Sequence, residues 1–521
     1  RDRHPARAGR RCAVTAAAMT QSGTPLAELL VGLGAAPLPG VPIAALAMTS
    51  RAVTPGALFL ACRGGSRHGI DFAEAAMRAG AAAIAAEPDA EWPTARLSGV
   101  AGTLGLPVVV VPELGAKAGE IAARFYGGPG DRLRLIGVTG TNGKTTVTQY
   151  LARALAPDER CAVVGTLGAG FPDALAPTTH TTPDAVALQA TLAELAAEGA
   201  EAVAMEVSSH ALHQHRVGGL RFDTAVFTNL TRDHLDYHRT MEAYAEAKAQ
   251  LFRSPGLRHA VINTDDAFGL ALFSETARRL PVAACGLDGV PAHAERFVAA
   301  ERVIAEVGGL RLHVRTSWGE GELASPLLGR FNAANLLAVL AVLLEAGVPL
   351  DAALSRLATL RTVPGRMERL GGGERPLVVV DYAHTPDALT QVLGALREHC
   401  RGRLHCVLGC GGERDTGKRP LMGEVAETLA DRVIVTDDNP RHEDGDAIVA
   451  QILAGLREPA RATVERNRAR AIAAAIADAA PGDVVLVAGK GHEDYQQVGD
   501  LRLPFSDRDL VQGLLRGEAA S

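Results

Sequence analysis

At 521 residues, 47% apolar and 21% charged, the chain is long enough for about three domains, each able to bury its own core, and its composition argues against disorder. A formal net charge of -6 gives no general electrostatic reason to bind nucleic acid or acidic lipid, so any phosphate binding must be local. No stretch is long and uninterrupted enough to read as a membrane span, and the seven cysteines show neither disulfide nor zinc spacing, which points to a soluble protein of a reducing cytoplasm. Cys400, Cys406 and Cys410 read as small apolar residues around a strand rather than metal ligands.

In chain order, residues 1–20 are basic at their start, lack an apolar core, and read as a non-native or disordered extension, with Met19 the expected start and residues 1–18 dispensable. Residues 26–112 combine short apolar runs and Gly turns with an Ala-rich helix over 72–80 and an apolar run over 81–86, which reads as a small α/β unit. A buried strand over 133–138, a Gly-rich turn and a helix starting near Lys144 open a new domain. Strands over 202–207, 224–228 and 260–263, with a helix over 185–197, imply a parallel sheet. A helix over 332–344 precedes a junction at Val363-Pro364-Gly365-Arg366. Beyond it, strands over 377–380, 404–408, 432–436 and 484–488 alternate with helices, as in a doubly wound Rossmann-like sheet.

The strongest local signal is Gly140-Thr141-Asn142-Gly143-Lys144-Thr145-Thr146 between an apolar strand and a helix, where backbone N–H groups can surround phosphate oxygens. Lys144 would meet the outer phosphates, and Thr145 holds the place of the hydroxyl that coordinates magnesium. Val138 stands where the general GxxxxGK[ST] pattern has its first glycine. The plainer alternative is a glycine turn before an ordinary helix. The expected fold is α/β in three domains: a small N-terminal α/β domain over 21–114, a central P-loop ATPase-like parallel-sheet domain over 115–361, and a C-terminal Rossmann-like domain over 362–521.

With Glu206-Val-Ser-Ser-His210, Asn229-Leu-Thr-Arg-Asp-His234 and Tyr244-Ala-Glu-Ala-Lys248, this loop resembles the Mur ligase family. The resemblance runs on through Gly365-Arg366-Met-Glu, Asp381-Tyr-Ala-His384, Gly411-Gly-Glu-Arg414, Asp438-Asn439-Pro440-Arg441 and Gly489-Lys-Gly-His-Glu493, which match the member that adds the third peptide residue. It implies ATP-dependent addition of meso-diaminopimelate to UDP-MurNAc-L-Ala-D-Glu through an acyl phosphate, in cytoplasmic peptidoglycan synthesis, hence in cell shape and division. The L-lysine-adding member is the nearest rival, folylpolyglutamate synthetase a more distant one, and a nucleotide switch or binding-only ligase the reading from another class. ATP and Mg2+ are the implied cofactors; the partners are small molecules, with no nucleic acid or membrane, and a monomer is expected.

By the same resemblance Glu206 would hold magnesium at a strand end, and His234 with a carbamylated Lys248 would hold a second one. Read without it, Lys248 is a solvated helix lysine. Asn332 and Asn335 would lie near the nucleotide, although a helix cap explains Asn332 as well. Arg366 and Asp381 would reach ATP on closure, an interdomain salt bridge being the alternative. Met48, Ser50, Gly65, Ser66 and Arg67 fall in the UDP-sugar region of the N-terminal domain, with Thr49 where many members have Asp. His180, Thr181, Thr182, Ser208, Gln214 and Arg216 match the muramyl-peptide end, with His180 replacing a frequent Asn. In the C-terminal domain Arg414, Asp438, Asn439, Pro440, Arg441, Gly489 and Glu493 would hold diaminopimelate. Arg441 offers a fork for the second carboxylate, and Glu493 suits the distal ammonium.

Overall fold

The computed structural model describes residues 23–34, 40–65, 67–306 and 308–518, so the expected N-terminal extension and Ser66 lie outside the described residues. The described residues form two compact units. The first comprises residues up to 132 together with 183–198 and 210–220. Its four-stranded parallel sheet runs Ala45–Ala47, Ala57–Ala61, Ala83–Ala86, Val108–Val110. The two middle strands are apolar and buried at every position, as parallel strands covered on both faces must be. The helix expected over 72–80 is shorter, Ala73–Arg78, because Gly69–Phe72 winds as a 3-10 turn first. Helix Ala185–Ala197 also packs in this unit: Asp184 caps it by accepting from the N–H groups of Val186 and Ala187 at 3.1 and 3.0 Å, and Val186 joins the cluster of Leu26, Leu29 and Ile121.

The second unit carries two large sheets and a two-stranded one, Tyr495–Val498 with Leu501–Pro504. The larger has eleven strands, and its parallel middle runs Cys161–Gly165, Ala202–Glu206, Arg134–Thr139, Thr224–Phe227, His259–Asn263, Val282–Gly286. Arg134–Thr139 is paired on both sides, with Glu206 opposite Val138 and Phe227 opposite Thr139, so three strand ends open side by side. Helix Lys144–Leu155 follows the central strand directly and buries Val147, Tyr150 and Leu151 against it. Three long antiparallel strands, Arg296–Glu306, Gly309–Thr316 and Gly319–Ser325, extend one edge and were not expected. Their period-2 signal was present, since Leu310, Leu312 and Val314 are buried while intervening residues are less so, but it was interrupted by charges on the open face. Helix Arg330–Glu345 is buried on nearly every face, which explains its lack of amphipathic pattern.

The smaller sheet has the order Glu368–Gly371, Leu377–Asp381, Val484–Ala488, Leu404–Leu408, Arg432–Val435, Thr463–Val464, with the first strand antiparallel and the rest parallel. All four strands expected from sequence in this region are present and central. Behind their C-terminal ends lies a fully buried ion pair. Arg468 donates through Nε and Nη2 to the two carboxylate oxygens of Asp507, both at 2.7 Å, and through Nη2 to the Ala488 carbonyl at 2.9 Å. Breaking such a pair leaves an uncompensated buried charge, at a cost of about 3–5 kcal/mol. Asp507→Ala should therefore lower the urea midpoint of the second unit strongly, and Arg468→Met/Asp507→Leu should recover most of the loss; a double variant no better than the single one would contradict this account.

Candidate active site

Two glycines let the loop after strand Arg134–Thr139 pass where no side chain fits. Gly140 has φ 150°, and a Cβ there would lie 1.9 Å from Thr228 Oγ1; Gly143 has φ 85°, with Asn335 Oδ1 at 2.5 Å from its Cβ position. The neighbouring strand end then grips the loop. Thr228 Oγ1 donates to the Asn142 carbonyl at 2.6 Å, Asn229 Oδ1 accepts from Asn142 N–H at 2.9 Å, and the Asn229 carbonyl accepts from Thr141 N–H at 2.8 Å. Thr141 Oγ1 accepts from Thr231 N–H at 3.0 Å and meets the Tyr244 hydroxyl at 3.2 Å. Thr228, Asn229, Thr231 and Tyr244 were not singled out from sequence; their signal was only that they stand within or beside the quoted motifs.

Lys144 folds back over this loop, its Nζ donating to the carbonyls of Gly140 and Thr141 at 2.9 and 2.8 Å. Burial lowers its pKa, the carboxylates of Glu206 and Asp233 oppose that, and Arg366 adds to it. Thr145 Oγ1 donates to Glu206 Oε1 at 2.9 Å, and the same oxygen accepts from Thr166 N–H at 2.8 Å. The buried Glu206 carboxylate thus faces a hydroxyl of the loop. Thr166, missed from sequence, also donates from Oγ1 to Glu206 Oε2 at 3.3 Å and meets Thr181 Oγ1 at 3.0 Å. Thr182 Oγ1 donates to the Glu206 carbonyl at 2.7 Å and accepts from Ser208 N–H at 3.2 Å, while His180 is exposed beside Thr179. Thr146 is buried in the first helical turn.

Lys248 is not a solvated lysine. It is 1% exposed, its Nζ donates to the Gly140 carbonyl at 2.8 Å and sits 4.2 Å from the centre of the Tyr244 ring. Helix Met241–Ala249 turns this position inward because the strand end and loop roof it over. Burial above all, then the charge of Lys144, hold its pKa well below the ordinary lysine range against the pull of Asp233. His234, at φ 52° and half exposed, packs edge-on against the same Tyr244 ring at 6.1 Å and lies 3.5 Å from Asp233. Among the described residues no cluster of three His, Cys, Asp or Glu side chains gathers as a ready-made metal site.

Asn332 is not the helix cap: Gly329 is, and Asn332 lies in the first turn, donating to the Leu328 carbonyl at 2.9 Å and accepting from Asn335 at 3.3 Å. This places Asn335 against Gly143 of the loop. Arg366 lays its guanidinium over Tyr382 at 4.8 Å and keeps a buried Nε without a hydrogen-bond partner. Asp381 turns inward, its two oxygens accepting from Met367 and Ala383 N–H at 2.7 and 2.8 Å, and burial raises its pKa.

At the ends of the smaller sheet, Arg441 has φ 52°; its N–H donates to the Gln497 carbonyl at 3.1 Å and its Nη1 to the Gly412 carbonyl at 2.5 Å. Asp438 is buried, its carboxyl pushed up by burial and pulled down by Arg468 and Lys490, with Glu493 and Asp507 pushing it up. Asn439 Nδ2 donates to Glu493 Oε2 at 2.8 Å. Gly489, at φ 113°, leaves room for Asp438: a Cβ there would stand 2.6 Å from Asp438 Oδ2. Pro440 is buried between these residues, and Arg414 is exposed. In the first unit, Met48 packs on the apolar cluster around Leu58 and Leu60, Ser50 opens a 3-10 turn, and Gly65 is exposed. Arg67 lies over Phe72 at 4.7 Å, and Arg216 donates to Gln214 Oε1 at 2.7 Å.

A glycine loop gripping a lysine beside a buried strand-end carboxylate, with a second sheet presenting an Asp-Asn-Pro-Arg turn, defines a nucleotide-dependent ligase architecture. Residues 42–126 match the Mur ligase family catalytic domain, 138–343 the Mur ligase middle domain, and 365–491 the Mur ligase glutamate ligase domain. The chain belongs to the Mur ligase family. It is 54% identical over 485 residues to the UDP-N-acetylmuramoyl-L-alanyl-D-glutamate--2,6-diaminopimelate ligase of Alkalilimnicola ehrlichii, covering 92% of this chain and 96% of that protein. The enzyme of the same name from Pseudomonas aeruginosa is 52% identical, with 90% and 94% covered. A solved structure of an enzyme of that name superposes with a TM-score of 0.69 at 37% identity, covering 95% of this chain and 99% of that one.

The depressed Lys248 pKa carries a stability consequence. Between its lowered folded value and the ordinary 10.5 the unfolded chain binds more protons, so this lysine's penalty on folding eases as pH rises. Relative to Lys248→Met, the wild-type chain should gain stability as pH rises through the alkaline range toward 10.5. Urea midpoints of the two proteins that keep a constant separation across that range would refute the buried, proton-shedding amine.

Proposed function

We propose that this chain is an ATP-dependent ligase that joins meso-diaminopimelate to UDP-N-acetylmuramoyl-L-alanyl-D-glutamate, acting as a monomer on small molecules in the cytoplasm. The observation that carries the reading is the likeness to ligases of that name over nine-tenths or more of the chain. Among the described residues no helix is long and apolar enough to cross a membrane.

Joining a carboxylate to an amine in water needs a leaving group, which transfer of the ATP γ-phosphoryl to the substrate carboxylate supplies as an acyl phosphate. Two anions must approach, so this chain provides cations. The N–H groups of Gly140–Thr146 face the phosphates at a helix N-terminus. Lys144 exchanges its two loop carbonyls for phosphate oxygens, a small swing for a side chain already at the loop. Arg366, with an unpaired buried Nε, is the cation the C-terminal sheet brings to the nucleotide. Thr145 Oγ1 and Glu206 Oε1, 2.9 Å apart, are hard oxygen donors that fit magnesium. Magnesium, when bound, neutralises part of the phosphate charge. Asn335 supports the loop rather than the nucleotide directly, and Asp381 orders the Met367 turn beside Arg366.

A lysine whose pKa is depressed offers the neutral amine that attacks carbon dioxide, releasing a proton and leaving an anionic carbamate. Lys248 is suited to this, and with His234 on the same Tyr244 ring it would supply ligands for a second magnesium. In the first unit Met48, Ser50, Gly65, Arg67, Gln214 and Arg216 serve the UDP-sugar and peptide, joined by Ser66. In the second, His180, Thr181, Thr182 and Ser208 serve the muramyl-peptide end. Asp438, Pro440, Arg441, Gly489, Glu493 and Arg414 form the amino-acid pocket.

Lys144→Ala should abolish ATP-dependent ligation, read as ADP release with UDP-MurNAc-L-Ala-D-Glu and meso-diaminopimelate, while leaving the thermal midpoint nearly unchanged; near-normal turnover would overturn the loop's role. Diaminopimelate exceeds lysine by one carboxylate, and a charge-assisted hydrogen bond to it contributes about 1.5–3 kcal/mol. Arg441→Ala should therefore cut diaminopimelate use by roughly 10- to 150-fold and raise relative use of L-lysine. A wild-type preference for L-lysine, or an unchanged preference in the variant, would transfer the assignment to the lysine-adding reaction.

A further inference from the structure

Lys490 has no role in the reading above, yet it is the most completely buried lysine at the ends of the smaller sheet, with no exposed side-chain surface. It stands between Gly489 at φ 113° and Gly491 at φ 54°, a backbone path that turns its side chain inward. Its Nζ donates to Glu493 Oε2 at 2.8 Å and to Asn439 Oδ1 at 3.1 Å. Asn439 closes the triangle by donating from Nδ2 to the same Glu493 oxygen at 2.8 Å. Asn439 Oδ1 also accepts from Gln497 N–H at 2.9 Å, so both ends of this 2% exposed amide are committed to the protein. Gln496 Nε2 donates to the Asp438 carbonyl at 2.8 Å, and Gly499 N–H donates to the Arg441 carbonyl at 2.7 Å. Residues 490–499 thus clasp the 438–441 turn along its length.

We propose that Lys490 is a positioning residue for the incoming amino acid: with Asn439 it saturates Glu493 Oε2 and aims Oε1 at the ligand's distal ammonium. This rests on the reading of the pocket as the diaminopimelate site. Oε1 makes no hydrogen bond to any described residue, and the Glu493 side chain is 19% exposed, so one oxygen is held and the other presented. A buried lysine is a costly way to tie a turn to a carboxylate, since desolvation offsets much of the attraction. It becomes useful where a carboxylate must be fixed before a cation arrives, because the ordering is then complete in the free enzyme. Asn439 is by the same geometry an inward-facing hub of the pocket rather than a ligand contact.

The test uses the full-length enzyme and steady-state ADP release, varying meso-diaminopimelate, ATP and UDP-MurNAc-L-Ala-D-Glu in turn. Lys490→Met should raise KM for diaminopimelate about 10- to 50-fold, in line with losing one charge-assisted contact, while kcat changes by less than about 3-fold. The KM values for the other two substrates should stay within about 2-fold. Lys490→Arg should restore most of the diaminopimelate KM, because a cation is retained. Glu493→Gln should raise the same KM, and Lys490→Met/Glu493→Gln should be no worse than the poorer single variant, since Lys490 acts only through Glu493. A KM for diaminopimelate that does not move in Lys490→Met, multiplicative losses in the double variant, or a parallel rise of all three KM values would overturn the proposal. If Lys490→Met fails to fold, Lys490→Gln, which keeps a donor without the charge, carries the same comparison. Wild-type enzyme that ligates no diaminopimelate would instead overturn the reading of the pocket, a separate outcome.

Discussion

Much of the site depends on the register of one strand. Arg134–Thr139 is flanked by parallel strands whose last residues, Glu206 and Phe227, fall opposite Val138 and Thr139. Parallel pairing puts all three C-terminal ends at one edge, so the glycine loop, the metal-suited carboxylate and the Thr228–Thr231 segment emerge as neighbours. Gly140 is where this constraint is tightest, because the loop crosses the next strand end at a distance no side chain permits. A one-residue slip in that pairing would separate Thr145 from Glu206 and remove the grip of Asn229 on the loop.

Basic side chains gather at this edge beside Glu206, Asp233 and Asp381. Lys144 and Lys248 both donate to the Gly140 carbonyl, and each lowers its proton affinity mainly through burial. Arg366 contributes a third charge with a buried nitrogen still unpaired. On the reading proposed above, Lys144 and Arg366 are the charges suited to phosphate oxygens, and Lys248 is the amine that gives up its proton. The smaller sheet shows the opposite economy. Its pocket residues are largely satisfied internally, with Asp438, Asn439, Glu493, Lys490 and Arg468 bonded or opposed within a buried network, and only chosen atoms turned outward. On the reading proposed above, the larger sheet would meet a ligand with many charges and the smaller one an amino acid to be told apart by a single group.

Read alone, the sequence determined the α/β class, the phosphate loop between strand and helix, and the central parallel strands of both larger sheets. These are local quantities: a run of apolar residues, a glycine turn and a helix start declare themselves within a few positions. The motifs also named residues at strand ends, which in a parallel sheet share an edge by construction. What only the tertiary structure decided is how each of those residues is used. Lys248 looks like a surface lysine in its helix and becomes a buried one because a loop about a hundred residues earlier covers it. Asn332 looks like a cap, but the helix begins before it at Gly329. Asn439 carries hydrogen bonds to Lys490, Glu493 and Gln497, and Lys490, unremarked in the motif, donates to its neighbour Glu493. Burial, protonation and hydrogen-bond direction arise from contacts between residues far apart in the chain, and no spacing within a single segment encodes them.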